Sequence, residues 1–550
     1  MSLRRIALPR IRPWLLLLLV SFAIWIVVLE TIIRPSAISL ESTPMLLRLS
    51  WWLLPPLIFI FSLFTGQWAL GSAKAEAAEL KQQQESELLQ RATAAKASEA
   101  AKAKSQQQFS LEIRSVGITV ERFRQMAIWK QLDKTNHPLK SMLSQKPEDY
   151  EWAGEARLLQ TKMRANNAFE NALRFWVERW PIPVLVADSN GRGLNRVRWA
   201  QNGSGMSIHL FTALAAHQGE GSDKLVQQAF QYFDDHPELP AILLLSADSQ
   251  EHSLDGVKDA RFVPTLPDSI VAILLTRSDR VDQYLRPFAV DVPYNINMDK
   301  TQYDIIKLWN FYWDQKDTYR TSIPKSFDTM PTDYWNGEVK KLISQIDPNA
   351  AQGGMIPFWN AGKAGFQATP WLPVRWTKWQ IEDEYDRAPI VGHLHRPVEI
   401  DLKDKNDAAK ATAIAAGWQQ ALATLPDGSV PQWLFYDTGA DTKQVIPFSR
   451  AMSMESTPQP LDFSDAAHSY NLSQRIGNTG VSSPFVQLGL GTMRSYHKGG
   501  VSATVNLRQP ERASIIMISP PTAAEKAKNK PNPYNTNHAN DPDPFVSKVM

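Results

Sequence analysis

The sequence predicts a layered α/β region, interrupted by a tryptophan-rich insertion and preceded by a two-helix transmembrane hairpin and a helical stalk. Three observations predict it. Residues 14–33 and 49–70 are apolar stretches, each long enough to cross a hydrocarbon core. Residues 72–108 are nearly all Ala, Lys, Glu, Gln, Leu and Ser, a helix-forming composition without Gly or Pro. From Phe109 onward, apolar runs without alternation, such as ILLL from Ile242 and VAILL from Val271, succeed amphipathic segments, as strands covered on both faces succeed helices.

The first apolar stretch, Trp14 to Ile33, carries one charge, Glu30, and about 20 helical residues span a core of roughly 30 Å. The second, Leu49 to Leu70, carries none, and Trp51, Trp52 and Trp68 lie near its ends as interfacial aromatics do. Pro55-Pro56 should kink it. A cleaved signal peptide is the competing reading of the first stretch, but its apolar part is long, no small-x-small cleavage site follows, and a second span comes close behind. Arg4, Arg5, Arg10 and Arg12 precede the first span, whereas the connecting loop has Arg34 and Arg48 with Glu41, so the N-terminus should stay inside. Two spans return the chain to that side. The expectation is a multi-pass protein of a bacterial inner membrane whose soluble region faces the cytoplasm. The stalk could reach roughly 55 Å from the bilayer at about 1.5 Å per residue. Leu80, Leu88 and Leu89 do not sustain heptads, so a solvated single helix or partly disordered linker is preferred to a coiled coil.

The α/β region opens with FSLEIRSVGITV from Phe109, which alternates and is β-branched. Helices are expected around 123–134, 153–180 and 222–235, and strands at PVLVAD, at 240–247 and from Ser269. Residues 301–390 hold seven of the 19 tryptophans, Trp309, Trp313, Trp335, Trp359, Trp371, Trp376 and Trp379. A partner or sugar platform is the functional reading. Core packing is preferred, because Trp309 and Trp313 sit i, i+4 on one helix face. A strand at 396–401, an Ala-rich helix at 408–424, the strand WLFYD, a helix at 483–496 and the terminal strands VSATVNL and ASIIMISP complete the pattern. The division is therefore 1–71 hairpin, 72–108 stalk, 109–300 N-terminal α/β half, 301–390 insertion, 391–521 C-terminal α/β half and 522–550 disordered tail.

Charge and composition exclude several functions. Lys+Arg 59 against Asp+Glu 56 gives no basic field for nucleic acid. The absence of cysteine removes disulfides, Cys-ligated zinc, iron–sulfur clusters and thiolate nucleophiles. Asp437-Thr-Gly after an apolar strand has the form of an aspartic-protease loop, whose chemistry needs two aspartates sharing a proton. No second such triplet exists; a homodimer would have to supply it, with Leu488-Gly489 as a supporting element. A turn after a strand is the preferred reading. His393 and His395 in GHLHRP would share a strand face and could hold a metal, but no third ligand has a recognisable spacing. Ser204 does not satisfy G-x-S-x-G, Gly362-Lys363 lacks the upstream glycine of a P-loop, and the segment from Asp188 to Gly193 is a turn signal. No catalytic, cofactor-binding or metal-ligating residue is assigned, and no cofactor is expected.

The block from Phe109 to Leu132, KPEDYEW at 146–152, WPIPV at 180–184, and RIGNTGVSSPFVQLGLGTM with ASIIMISPP near the C-terminus resemble the adaptor family that serves lipase effectors of the type VI secretion system. The resemblance implies a non-enzymatic adaptor that binds a phospholipase-type effector in the cytoplasm and delivers it to the spike protein. A second resemblance lies in HLFTALAAHQGEGSDKLVQQAF, read as a helix, followed by AILLLSADS and by Gly477-Asn-Thr-Gly; these look like thiolases and β-ketoacyl synthases. Those enzymes need an acyl-accepting cysteine, so this resemblance implies an inactive scaffold reused for binding. The alternatives are a membrane-bound enzyme on a thiolase-like scaffold, a retropepsin-like protease using Asp437, and a cell-envelope scaffold with no secretion role.

Overall fold

A computed structural model describes residues 11–33, 44–135, 137, 139–150, 154–173, 176–177, 179–188, 208–214, 221–250, 261–291, 304–322, 330–345, 365–426, 428–459, 461–462, 465–529 and 544–545. Ser204, Trp359, Gly362-Lys363 and residues 189–193 lie outside them. The chain divides into two compact units, Met1–Lys104 and Ser105–Met550.

In the first unit, the helix Ile11–Val28 continues as a π-helical turn, Leu29–Ile33, and the next helix, Met45–Gln107, contains Pro55 and Pro56. Segments Arg12–Ile32 and Trp52–Thr93 are long and apolar enough to cross a membrane by length and composition. Their apolar side chains face outward; Leu16 and Phe61 are 68% and 69% exposed. Trp14 meets Phe64 edge-on at 5.4 Å, so the two helices run side by side.

The second unit is organised by one twelve-stranded mixed sheet. Its strands are β1 (Ser110–Val120), β2 (Phe123–Arg124), β3 (Trp180–Asp188), β4 (Ile208–Leu214), β5 (Ala241–Asp248), β6 (Ser269–Thr276), β7 (Gly392–His395), β8 (Val398–Asp401), β9 (Pro431–Asp437), β10 (Ser469–Asn471), β11 (Val501–Gln509) and β12 (Arg512–Ser519). The order across the sheet is β10-β9-β11-β12-β7-β1-β6-β5-β3-β4, with β2 paired to β1 and β8 to β12. Read outward from the central antiparallel β1–β7 pair, the two sides repeat. On each side the first strand lies antiparallel to the fifth, the fifth antiparallel to the fourth, and the fourth, second and third run parallel in that spatial order. The sheet is a duplication.

Strand periodicity explains how the layers attach to β1. Successive side chains alternate between faces. Ser115, Gly117 and Thr119 meet the helix Gly154–Leu173: the Ser115 hydroxyl donates to the Ala172 carbonyl, Thr119 to that of Arg164, and a Cβ on Gly117 would sit 1.6 Å from the Ala168 oxygen. The helix can approach that closely only over a glycine. Val116 and Ile118 point the other way, against Gly489 of the helix Ser483–Lys498. That helix follows β10 in the C-terminal side of the duplication yet packs on β1 and β6 of the other side, so the halves share their core.

The described part of the insertion lies between β6 and β7 and contains the helices Asp304–Ser322 and Thr332–Gln345. Core packing accounts for most of its tryptophans. Trp335 and Trp376 are fully buried and Trp371 nearly so, and Trp376 stands edge-on to Trp180 of β3 at 5.3 Å and to Trp176 at 6.1 Å. Among the described tryptophans of the insertion, Trp313 is the outlier at 37% exposure.

Three expectations are corrected. Residues 208–214, read as the start of a long helix, form strand β4 in parallel register with β3, and the helix begins at Asp223. Their composition is as apolar as a helix face, and short apolar runs do not separate the two structures. Residues 123–124 pair back onto β1, so the following helix starts at Met126. The segment from 522, expected to be disordered, contains the helix Ala523–Lys528, closed by a Thr522/Glu525 capping box, and Phe545 is buried.

Candidate functional site

Parallel α/β sheets place ligands at the carboxyl ends of their strands. Here three such ends carry buried aspartates: Asp188 on β3, Asp248 on β5 and Asp437 on β9. Asp188 and Asp437 occupy equivalent places in the duplication.

Asp437 is fully buried. Its carboxylate accepts from Arg508 Nη1 at 2.8 Å, from the Gly439 backbone at 2.8 Å, and from the hydroxyls of Ser473 and Ser483. Arg508 also donates to Asn478 Oδ1 at 2.6 Å. Ser483 is the first residue of the helix Ser483–Lys498, so the knot sits at a helix N-terminus, where negative charge is stabilised. Asp248 fills the same end from the other half. Its Oδ2 accepts the Val481 N–H at 2.8 Å, and a Cβ on Gly480 (φ 57°) would lie 1.8 Å from that oxygen. Only glycine admits the carboxylate.

The N-terminus of the helix Asp223–Asp235 is treated in kind. Asp223 receives Arg512 Nη2 at 2.6 Å on both oxygens and Ser514 Oγ at 2.5 Å, both from β12 in the opposite half. Each half therefore uses carboxylate chemistry to seat its buried helix against the other. Arg508 and Arg512 neutralise Asp437 and Asp223, while Asp248 accepts from the backbone N–H groups of Ser249 and Val481.

A third polar centre lies where β1 meets β6. Glu121, in the left-handed region at φ 50°, and Asp268 are both bridged by Arg157 and Arg164; Arg157 lies 2.6 Å from Glu121 and 3.2 Å from Asp268. Burial, and then the neighbouring Asp268 charge, push the Glu121 carboxyl above its ordinary range despite the two arginines. Beside it lies a cavity of about 50 Å³ lined by Arg122, Tyr150, Arg157 and Arg164 among others. At the opposite end of the β1–β6 pair, Arg114 and Glu112 pair at 2.9 Å. Burial there raises the Glu112 carboxyl, but Arg114 and hydrogen bonds from Ser278 and Thr276 outweigh it and hold the group below its usual range.

The residues singled out in the sequence are dispersed by the fold. Asp437 ends a parallel strand of the α/β sheet and is held by Arg508 rather than by a second carboxylate, and Leu488-Gly489 lies on the buried helix against β1. His393 and His395 share a strand face but have different partners: His393 Nε2 meets Glu525 at 3.1 Å, while His395 contacts the Thr424 carbonyl through Nδ1 at 2.9 Å and Ser519 Oγ through Nε2 at 2.6 Å. Among the described residues, no three His, Asp or Glu side chains gather as a metal site. Ser519–His395–Thr424 has the form of nucleophile, base and orienting group. Its chemistry is poor, because burial lowers the His395 pKa to about 4 against the Thr424 hydrogen bond, and so disfavours the imidazolium a general base must become. Ser519, Arg508, Arg512 and Glu121 carried no sequence signal of their own; strand pairing brings them to these sites.

The fold and the strand ends at Asp248 and Asp437 define a duplicated α/β scaffold in which these two polar centres are engaged by the protein's own groups. Comparison with known families places it. Residues 109–259 match the family described as type VI lipase adapter protein Tla3, N-terminal, and residues 391–520 match type VI lipase adapter protein Tla3, C-terminal. The two matches together take in just over half of the chain, and the chain belongs to this family. Among solved structures it is similar to a ketosynthase domain of the oxazolomycin system, OzmH KS8, from Streptomyces albus JA3453, at 8% identity over 76% of this chain and 96% of that one, with a TM-score of 0.38. It is also similar to the ketosynthase of module 6 of the bacillaene synthase from Bacillus subtilis 168, at 9% identity, 75% and 71% coverage and a TM-score of 0.41. OleA of Xanthomonas campestris matches at 9% identity, 75% and 99% coverage and 0.34. Likenesses this distant carry nothing about chemistry.

Proposed function

We propose that the protein is an inner-membrane-anchored adaptor that binds a lipase effector on the cytoplasmic side and passes it to the type VI secretion spike, without catalysis of its own. The observation that carries this reading is the match of both α/β halves to the lipase adapter family. Two apolar helices of spanning length in the same chain supply the anchor, and the basic residues ahead of the first, Arg4, Arg5, Arg10 and Arg12, orient it. The α/β region then serves as a thiolase-like scaffold for binding, which agrees with strand-end and helix-end carboxylates engaged by Arg508, Arg512 and serine hydroxyls. The working division is a hairpin over 1–71, a stalk over 72–108, α/β halves over 109–300 and 391–521, and an insertion over 301–390.

The test is co-purification with the full chain as bait from bacteria expressing a type VI lipase and a spike protein. The lipase should be retained, and the spike with it. Recovery of neither overturns the adaptor reading. A reporter fused after Met550 should be active only in the cytoplasm; periplasmic activity reverses the topology.

A further inference from the structure

The C-terminal segment folds back onto the far end of the buried helix Ser483–Lys498. Glu525 meets His393 at 3.1 Å. Lys526 Nζ donates to the Tyr496 carbonyl at 2.6 Å and lies 4.4 Å from the centre of the Tyr496 ring. The Asn529 side chain accepts from the Ile390 N–H at 3.1 Å and donates to the Ile390 carbonyl at 3.2 Å, pairing with that backbone as a neighbouring strand would. Further along, Phe545 is 1% exposed, edge-on to the Tyr496 ring at 5.3 Å and 5.6 Å from the His497 ring.

No residue of the helix Ala523–Lys528 is buried, so among the described residues the segment is held by polar contacts and by the Phe545 ring. A buried aromatic anchor seated against aromatic side chains is how folded domains hold short peptides.

We propose that Tyr496 and His497 form a recognition site for a proline-aromatic segment, with Pro544-Phe545 as its resident ligand in cis, displaceable by a partner segment of the same chemistry. This does not rest on the adaptor reading. A tethered ligand competes at an effective concentration on the order of millimolar, so a site of roughly 100 µM intrinsic affinity is occluded about tenfold by its own tail.

Full-length protein in detergent is titrated against fluorescein-labelled DPDPFVSKVM, the sequence of residues 541–550. The Phe545→Ala chain should bind this peptide about tenfold more tightly than the unmodified chain, the gain set by removing the tethered competitor. Peptide in which alanine replaces the phenylalanine should bind neither. Equal affinity for the two chains, no binding to Phe545→Ala, or equal binding of the alanine peptide overturns the proposal. A second measurement needs no variant: saturating peptide should raise amide exchange over residues 523–529 of the unmodified chain several-fold, and unchanged exchange overturns displacement. A dimer that dissociates on Phe545→Ala would identify a second copy's tail as the occupant and overturn the cis arrangement.

Discussion

The two sides of the duplicated sheet share a strand order but fill their polar ends differently. On the N-terminal side, Glu121, Asp268, Arg157 and Arg164 form a closed network in which each arginine touches both carboxylates and none of the four is appreciably exposed. On the C-terminal side, Asp437 is buried but relies on hydroxyls, one backbone N–H and Arg508, whose side chain is 20% exposed. A sheet topology can therefore be repeated while its electrostatics are solved twice. The first centre has two carboxylates to neutralise, with the Thr161 hydroxyl and the Asp268 N–H as its neutral donors, whereas the second has one carboxylate and spreads it over groups that remain when Arg508 is removed.

Four substitutions or conditions would break or sharpen that contrast, all read as unfolding of the full chain in detergent. The largest effect should come from Arg157→Ala, which leaves two buried carboxylates on one arginine; a loss of about 3–5 kcal/mol is expected. Acid should come next, and it should act through the C-terminal side. His395 titrates at about 4 when folded against an ordinary 6.5, so the unfolded chain binds the additional proton between those values. Stability is then fully present above pH 6.5 and falls as pH drops towards 4, by up to about 3 kcal/mol, and His395→Gln should flatten that part of the profile. A profile unchanged by His395→Gln would refute this. Arg508→Ala should cost less than Arg157→Ala, about 2 kcal/mol, because Ser473, Ser483 and Gly439 still serve Asp437; an equal or larger loss would erase the distinction between the two centres. The smallest effect belongs to Trp313→Ala, expected within about 1 kcal/mol because the side chain is partly solvated. The control Trp376→Ala, which empties a fully buried site, should cost about 3–5 kcal/mol.

Legibility in the sequence followed the same division between local pattern and pairing. Strands β3, β5 and β6 were visible because a strand covered on both faces needs an unbroken apolar run, and all three are buried along their length. The helix expected at 408–424 lies at Asp407–Ala423, and the one expected at 483–496 is Ser483–Lys498. Strand β4 was misread because its seven residues have no period that separates strand from helix. The polar centres were less legible. Asp437 stood out through its Gly-containing turn, but its partners Ser473, Ser483 and Arg508 come from three other segments. Nothing local in the sequence announces that Arg157 on a helix will meet Glu121 at a turn and Asp268 before β6, since that meeting is a property of strand order.

The helix Ser483–Lys498 also has a consequence for synthesis. Val116 and Ile118 of β1 are among the first residues of the α/β unit to leave the ribosome, yet Gly489, which covers them, is among the last. At about 5–20 residues per second, that face of β1 waits tens of seconds for its cover. A nascent chain in that state shows a bare apolar ridge to its surroundings. Its birth should therefore depend on a chaperone in a way that its finished structure does not reveal.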